Sequence, residues 1–380
     1  MKILVLASYP KSLVSFRGPL LKELVSRGHS VHATAPYDKN TPDVIRQLED
    51  FGVSFSSLSL SRHSINPIKD LYYIFRLLAF ALSYRPDCVL AYTVKPVIYS
   101  GLSIFLYRLF CPESFVKHVS LITGLGYAFT TDTSSLYGQL IRQILLFLYR
   151  VSLRNSNDVV FQNPDDLSDF KSLGLISKYS HLHRVWGSGV DLARFAPQPL
   201  PSHQSFLMLS RLLVHKGIRE YLRAAQIVKA QYPSVNFYLA GMLDSNPASI
   251  NPHELEYSIS RDIIIYLGEL ASVNSILKSC RYFVLPSYRE GTPRSVLEAM
   301  ATSRPILTTD VPGCRETVID GRNGFIVPVR DSDALALSMI RLIKQSDEET
   351  KKMAVSSLQL ARQYYDVRKV NAEIIEIMDA

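Results

Sequence analysis

Short apolar runs alternate with helical stretches twice over along this chain, and that rhythm limits the possible folds more than any other feature. In the first half the runs fall near 2–7, 30–35, 53–60, 87–93, 115–122 and 158–162. A second series begins at 205–210 and continues near 235–240, 262–267, 281–286, 304–309 and 324–327. Strands separated by helices pair in parallel through crossovers, so each series predicts a Rossmann-like α/β unit. A chain of 380 residues also exceeds one comfortable core, which predicts two domains. The stretch Trp186-Gly187-Ser188-Gly189 reads as the hinge, and Pro197-Gln-Pro-Leu-Pro201 as an irregular approach to the second sheet.

Composition removes several classes of function. Cys88, Cys111, Cys280 and Cys314 are scattered without metal-site spacing, so neither a disulfide framework nor a zinc site is indicated, and a cytoplasmic location suits them. Lys2–Ala7 is a short apolar run that meets Pro10 and Lys11, which reads as a first strand rather than a secretory signal. No uncharged apolar stretch reaches the roughly 20 residues of a membrane span. Residues 1–200 carry 21 Lys and Arg against 14 Asp and Glu, whereas residues 201–380 carry 21 against 20, so the basic excess belongs to the first half. Within that half, Asp70–Tyr84 and Leu136–Arg150 read as aromatic-rich helices dotted with arginine. They suit the anionic surface of a membrane, or simply the buried side of helices that flank a parallel sheet. Nucleic acid is disfavoured as a partner, because the basic residues are dispersed and form no recognition motif.

The chemistry is concentrated in Tyr288-Arg-Glu-Gly-Thr-Pro-Arg-Ser-Val-Leu-Glu-Ala-Met300. Pro293 fits the first position of a helix and Thr292 its N-cap, which puts Glu290 in the preceding loop and Glu298 inside the helix. The N–H groups at Gly291, Thr292 and beyond, with Arg294 and Ser295, make a ready anion site at the positive end of the helix dipole. A diphosphate fits it. Upstream, Phe206–Gly217 reads as a buried strand that delivers Arg211 and Lys216 into a loop before a helix, where cations face a ligand crevice.

These residues, with Ser210-Arg211-Leu212, Gly187-Ser188-Gly189-Val190-Asp191 and Gly124-Leu125-Gly126-Tyr127, resemble the retaining glycosyltransferases of family four. The similarity spans essentially the whole chain and is closest to bacterial members that build O-antigen, capsule or other glycan units on a lipid carrier. It implies the GT-B fold, an α/β architecture of two Rossmann-like domains whose parallel sheets face a central cleft. Residues 1–185 would bind the acceptor and 186–361 the nucleotide sugar, with a last helix near 362–380 returning to the first domain.

The resemblance further implies that Arg211 and Lys216 stabilise the leaving diphosphate, that Glu298 accepts hydrogen bonds from the ribose, and that Glu290 holds the donor sugar. Gly18, Gly291, Thr292, Pro293, Arg294 and Ser295 would join the donor site, and Gly124, Gly126 and Tyr127 the acceptor side. The donor would be a UDP-sugar, and the acceptor a saccharide on polyprenyl diphosphate at the inner face of the cytoplasmic membrane, reached by a peripheral protein.

Histidine departs from the better-known relatives. The place at the end of a first-domain strand holds Thr123, and His118 five residues earlier is either a catalytic candidate or a satisfied core residue. Asp331-Ser332-Asp333 resembles a metal–diphosphate motif of another fold, but Asp before a helix is an expected cap, so no metal and no cofactor is predicted. Two other functions share the outline: a GT-B nucleotide-sugar epimerase, which would need no acceptor, and a two-lobed sugar-binding protein without turnover.

Overall fold

A computed structural model describes residues 1–60, 67–124, 136–243 and 248–380. The chain divides into two compact units, Met1–Ser188 with Arg368–Ala380, and Gly189–Val367.

In the first unit the strands are β1 (Lys2–Leu6), β2 (Ser30–Ala35), β3 (Ser54–Ser57), β4 (Cys88–Tyr92), β5 (Lys117–Ile122), β6 (Asp158–Phe161) and β7 (His181–Arg184). They form one parallel sheet in the order β3-β2-β1-β4-β5-β6-β7. Between them run α1 (Lys11–Ser15), α2 (Gly18–Ser26), α3 (Thr41–Asp50), α4 (Pro67–Tyr84), α5 (Val94–Phe110), α6 (Leu136–Leu153) and α7 (Pro164–Ser172). Both sheet faces are covered, so β1 reads as a continuous apolar run: Leu4 and Leu6 meet α4, α5 and α6, whereas Ile3 and Val5 meet the opposite layer.

The second unit contains β8 (Ser205–Leu209), β9 (Asn236–Ala240), β10 (Ile265–Tyr266), β11 (Tyr282–Leu285), β12 (Ile306–Thr309) and β13 (Gly324–Val327), in the order β10-β9-β8-β11-β12-β13. Its helices are α8 (Ile218–Gln231), α9 (Pro252–Ser260), α10 (Asn274–Ser279), α11 (Arg294–Ala301), α12 (Ser332–Lys344) and α13 (Asp347–Tyr364). The last helix, α14 (Val367–Asp379), buries Val370, Ile374, Ile375 and Met378 in the Ile3/Val5 layer of the first unit.

Where the chain enters and leaves the second unit, its two segments are hydrogen-bonded to each other. Val190 N donates to Tyr365 O at 2.7 Å and Val367 N to Val190 O at 3.1 Å. The approach is so close that a Cβ on Gly189, at φ +67°, would lie 2.6 Å from Val367 Cα. Glycine is the residue that this crossing admits. The proline-rich stretch beyond it is pinned from inside the unit, since Arg304 donates to Pro199 O at 3.0 Å and Arg281 to Pro201 O at 2.6 Å.

The expected strands sit where the apolar runs placed them, with one omission. β7 was not foreseen, because His181-Leu-His-Arg184 is an edge strand with little buried surface and no apolar run. Asp331 caps α12 as expected, its side chain accepting from Ala334 N at 2.8 Å.

Candidate active site

In an open parallel sheet, ligands bind beyond the carboxyl ends of the strands where the strand order reverses. In the second unit that point lies between β8 and β11, which pair directly. The predicted residues of this unit emerge there. The loop after β8 carries Arg211, which is exposed, and then a 3₁₀ turn, Val214–Lys216, ahead of α8. The loop after β11 carries Glu290, Gly291, Thr292 and Pro293 into α11.

Although 74 positions apart in sequence, Lys216 and Glu290 meet: Lys216 Nζ donates to Glu290 Oε1, with the side chains 16% and 13% exposed. Glu290 is also held through its backbone, which donates to Pro312 O at 3.0 Å. Beneath it Gly313 adopts φ +81°, and a Cβ there would overlap Glu290 O and lie 2.6 Å from Gly291 O. The loop thus rests directly on a second backbone segment, which fixes the carboxylate without needing side-chain packing.

The helix start differs from the expectation by one residue. Pro293, not Thr292, is the N-cap of α11, at φ −74° and ψ 108°, and Arg294 is its first residue. Proline fixes φ but leaves ψ free, and here ψ is extended. The Thr292 hydroxyl therefore bonds its neighbour Gly291 O at 2.9 Å instead of capping the helix. Four residues along, Arg294 Nε donates to Glu298 Oε1 at 2.9 Å. Glu298 is nearly buried, and burial holds its carboxyl above the usual range, against the opposing pull of Arg294 and Arg194. Ser295 is half-buried on the same turn. The first N–H groups of α11, Arg294 and Lys216 supply positive potential, and Glu290 and Glu298 supply acceptors for hydroxyl groups.

Several residues at this point were not singled out from sequence. Arg194 acts on Glu298, and Tyr288 donates its hydroxyl to the buried Glu220 at 2.7 Å while Arg330 lies 4.7 Å above its ring. His215 stays neutral: burial, then Lys216 and Arg211, push its pKa down to about 4. Arg194, Glu220 and Arg330 lie outside the stretches quoted above, and Tyr288 and His215 lie inside them without belonging to a recognisable motif position.

In the first unit the reversal lies between β1 and β4. Gly18 is the buried first residue of α2, after Arg17, whose guanidinium is 5.3 Å from the centre of the Tyr92 ring at the end of β4. Tyr92 in turn bonds the Ser12 hydroxyl at 2.9 Å. Gly124 follows β5 at φ +124°, while Gly126 and Tyr127 lie outside the described residues.

Of the two readings of His118, the structure shows a core position. It is fully buried at the second position of β5, bonded to Ser100 at 2.8 Å and Ser156 at 3.1 Å, and burial pushes its pKa down to about 3. It packs as a satisfied core histidine. Among the described residues no group of His, Cys, Asp and Glu is arranged to hold a metal ion.

Two doubly wound parallel sheets give the chain the GT-B fold, with paired cations and carboxylates at the reversal point of the second. Residues 203–345 match the family described as glycosyl transferases group 1. Over 96% of this chain and 95% of the relative, it is 28% identical to the Campylobacter jejuni N,N'-diacetylbacillosaminyl-diphospho-undecaprenol alpha-1,3-N-acetylgalactosaminyltransferase. An Escherichia coli UDP-Gal:alpha-D-GlcNAc-diphosphoundecaprenol alpha-1,3-galactosyltransferase is 26% identical over 41% of this chain and 43% of its own. Among solved structures, Anabaena HepE in complex with UDP-glucose superposes with a TM-score of 0.78 at 19% identity, covering 100% of this chain and 99% of that one.

Proposed function

We propose that this glycosyltransferase moves an N-acetylhexosamine or hexose from a UDP-sugar to a saccharide on polyprenyl diphosphate, with retention of anomeric configuration and without a metal. The observation that carries the reading is the cluster Lys216–Glu290 and Arg294–Glu298 at the reversal point of the second sheet. Departure of UDP concentrates negative charge on the diphosphate, and fixed cations with the start of α11 stabilise that charge at no cost of reorganisation. Arg211, Lys216 and Arg294 take this role, with Gly291, Thr292, Pro293 and Ser295 shaping the phosphate seat. Glu298 receives the ribose hydroxyls, and Glu290 the hydroxyls of the donor sugar.

Front-face attack, in which the leaving phosphate helps deprotonate the acceptor, needs no carboxylate nucleophile, unlike the paired-carboxylate hydrolases. The first unit, with Gly124, receives the acceptor, and Gly18 belongs with the donor-binding residues. The basic excess of residues 1–200 supports peripheral work on the anionic inner face of the cytoplasmic membrane.

The test is to incubate the protein with UDP-sugars and lipid-linked acceptors, follow UDP release, and read the product's anomeric configuration by NMR. Acceptor-dependent release in the presence of chelator is expected. Conversion of the donor sugar without acceptor would favour an epimerase, and binding without turnover a sugar-binding protein.

A further inference from the structure

Helices that flank a parallel sheet ordinarily show water a polar outer face. Three neighbouring helices of the first unit do not. On α4 the face turned into the core is Tyr73, Ile74, Leu77 and Leu78, yet the opposite face repeats Ile68, Leu71, Tyr72 and Phe75, with Ile68 81% exposed. α5 packs against both α4 and α6, and its outward positions are Phe105, Leu109 and Phe110. On α6 the outward row is Leu140, Ile144 and Phe147, the last 60% exposed. All three helices cover the same side of the sheet, so these rows lie side by side. At about 150–250 Å² for a whole large side chain, they expose apolar surface on the order of 1,000 Å². Single-chain soluble proteins rarely leave more than a few hundred Å² in one patch.

The charges of the same helices say what covers it. Lys69, Arg76, Lys95, Arg108, Arg142 and Arg150 stand against one acid, Asp70, giving six positive to one negative. That acid is buried and paired with Lys95 at 3.2 Å. Arg108 and Arg150 are turned to backbone carbonyls, whereas Arg76 and Arg142 accompany the outward rows. Arg76 extends across the ring of Tyr72. A second copy of this chain docked face to face would set these cations against their own kind. An anionic lipid surface offers the opposite sign together with an apolar interior.

We propose that the outer faces of α4, α5 and α6 form a membrane-insertion surface: their aromatic and aliphatic rows enter the headgroup boundary of an anionic phospholipid bilayer, while Arg76 and Arg142 engage the phosphates. This rests on the reading that the acceptor is carried on a lipid, and it adds that docking is apolar insertion, with charge as the steering component. The surface holds the first unit, which takes the acceptor, at the depth where a polyprenyl diphosphate headgroup lies.

The test uses full-length protein with vesicles of phosphatidylcholine, with and without phosphatidylglycerol. The variants are Phe75→Ser/Phe147→Ser, Arg76→Gln/Arg142→Gln, and Leu337→Ser, an exposed leucine of the second unit. Wild type should sediment with anionic vesicles and retain part of that binding at about 1 M NaCl, where exposed charges are screened within about 3 Å. The phenylalanine pair should lower the partition coefficient at least about tenfold at both salt concentrations, the arginine pair at low salt alone, and Leu337→Ser at neither. A Phe147→Trp variant should show quenching by brominated acyl chains beyond that of Trp186.

Wild-type binding by the phenylalanine pair at an unchanged melting temperature overturns the proposal. So does a dimer, seen by sedimentation velocity, that the same pair dissolves while vesicles are ignored. Turnover on a short-chain, water-soluble acceptor separates the two readings. If the variants keep it and lose vesicles, both stand. If wild type binds vesicles through this face but transfers no sugar, only the transferase reading fails.

Discussion

Replacing Lys216 with methionine removes the cation that Glu290 holds and leaves a carboxylate with 13% side-chain exposure alone at the site. Losing one partner of a part-buried pair costs more than an exposed pair would, about 1–3 kcal/mol once residual exposure is allowed for. At roughly 2–4 °C per kcal/mol for a domain of this size, the melting temperature should fall by several degrees. Lys216→Met/Glu290→Gln should recover most of that loss, because no unpaired charge remains.

Affinity for UDP separates the two residues by sign. The cation attracts the diphosphate and the carboxylate repels it, and a unit charge some 6 Å away acts with up to about 2–3 kcal/mol at an effective dielectric of 20, less where solvent reaches the pair. Calorimetry should therefore find UDP bound roughly 5–30-fold more weakly by Lys216→Met and severalfold more tightly by Glu290→Gln. Glu290→Gln should nonetheless slow sugar transfer, since UDP alone lacks the hydroxyls that the carboxylate holds. If Glu290→Gln weakens UDP, or if the double variant melts no higher than Lys216→Met, the pair is not the charge-balanced diphosphate site described above.

Arg211→Ala should leave the melting temperature unchanged, because the side chain is exposed, while lowering kcat/KM by about 10²-fold or more in a UDP-release assay. Gly313→Ala should abolish UDP binding measured by calorimetry, since its Cβ would displace the backbone of Glu290 and Gly291. Asp331→Ala should cost about 1 kcal/mol of stability in denaturant titration and leave transfer intact with EDTA present; inactivation rescued by manganese would make this residue a metal ligand.

Glu298 binds its proton more tightly folded than unfolded, so the native state holds more protons as pH rises from the ordinary value of 4.5, and stability falls across that window. Glu298→Gln should remove this slope in melting curves while weakening UDP at least about tenfold. His118 has the reverse linkage: its folded pKa near 3 lies below the ordinary 6.5, so its contribution is full above 6.5 and is lost as pH falls toward 3, a slope that His118→Asn should flatten.

The two sheets were legible because parallel strands covered on both faces must be apolar throughout, as Ile3–Leu6 and Phe283–Leu285 are. The same signal fails at an edge, which is why β7 escaped it. Arg211, Lys216, Glu290 and Glu298 were individually visible as polar residues next to strand ends and a helix start. The Lys216–Glu290 pairing was not, since it depends on β8 and β11 becoming neighbours and bringing together residues 74 positions apart. The outward rows of α4, α5 and α6 were visible as composition alone. Apolar residues on every side of a helix do not say which side meets the core.

The Val190–Asp366 bridge makes the second unit, in topological terms, a single insertion with its two ends side by side. A module joined that way is removable like a cassette, because closing the gap it leaves needs only a short peptide. Gly189–Val367 is therefore the segment to exchange between relatives as a test of whether the donor choice travels with it, as proposed above, and Gly189 and Val190 are the residues any incoming cassette must keep.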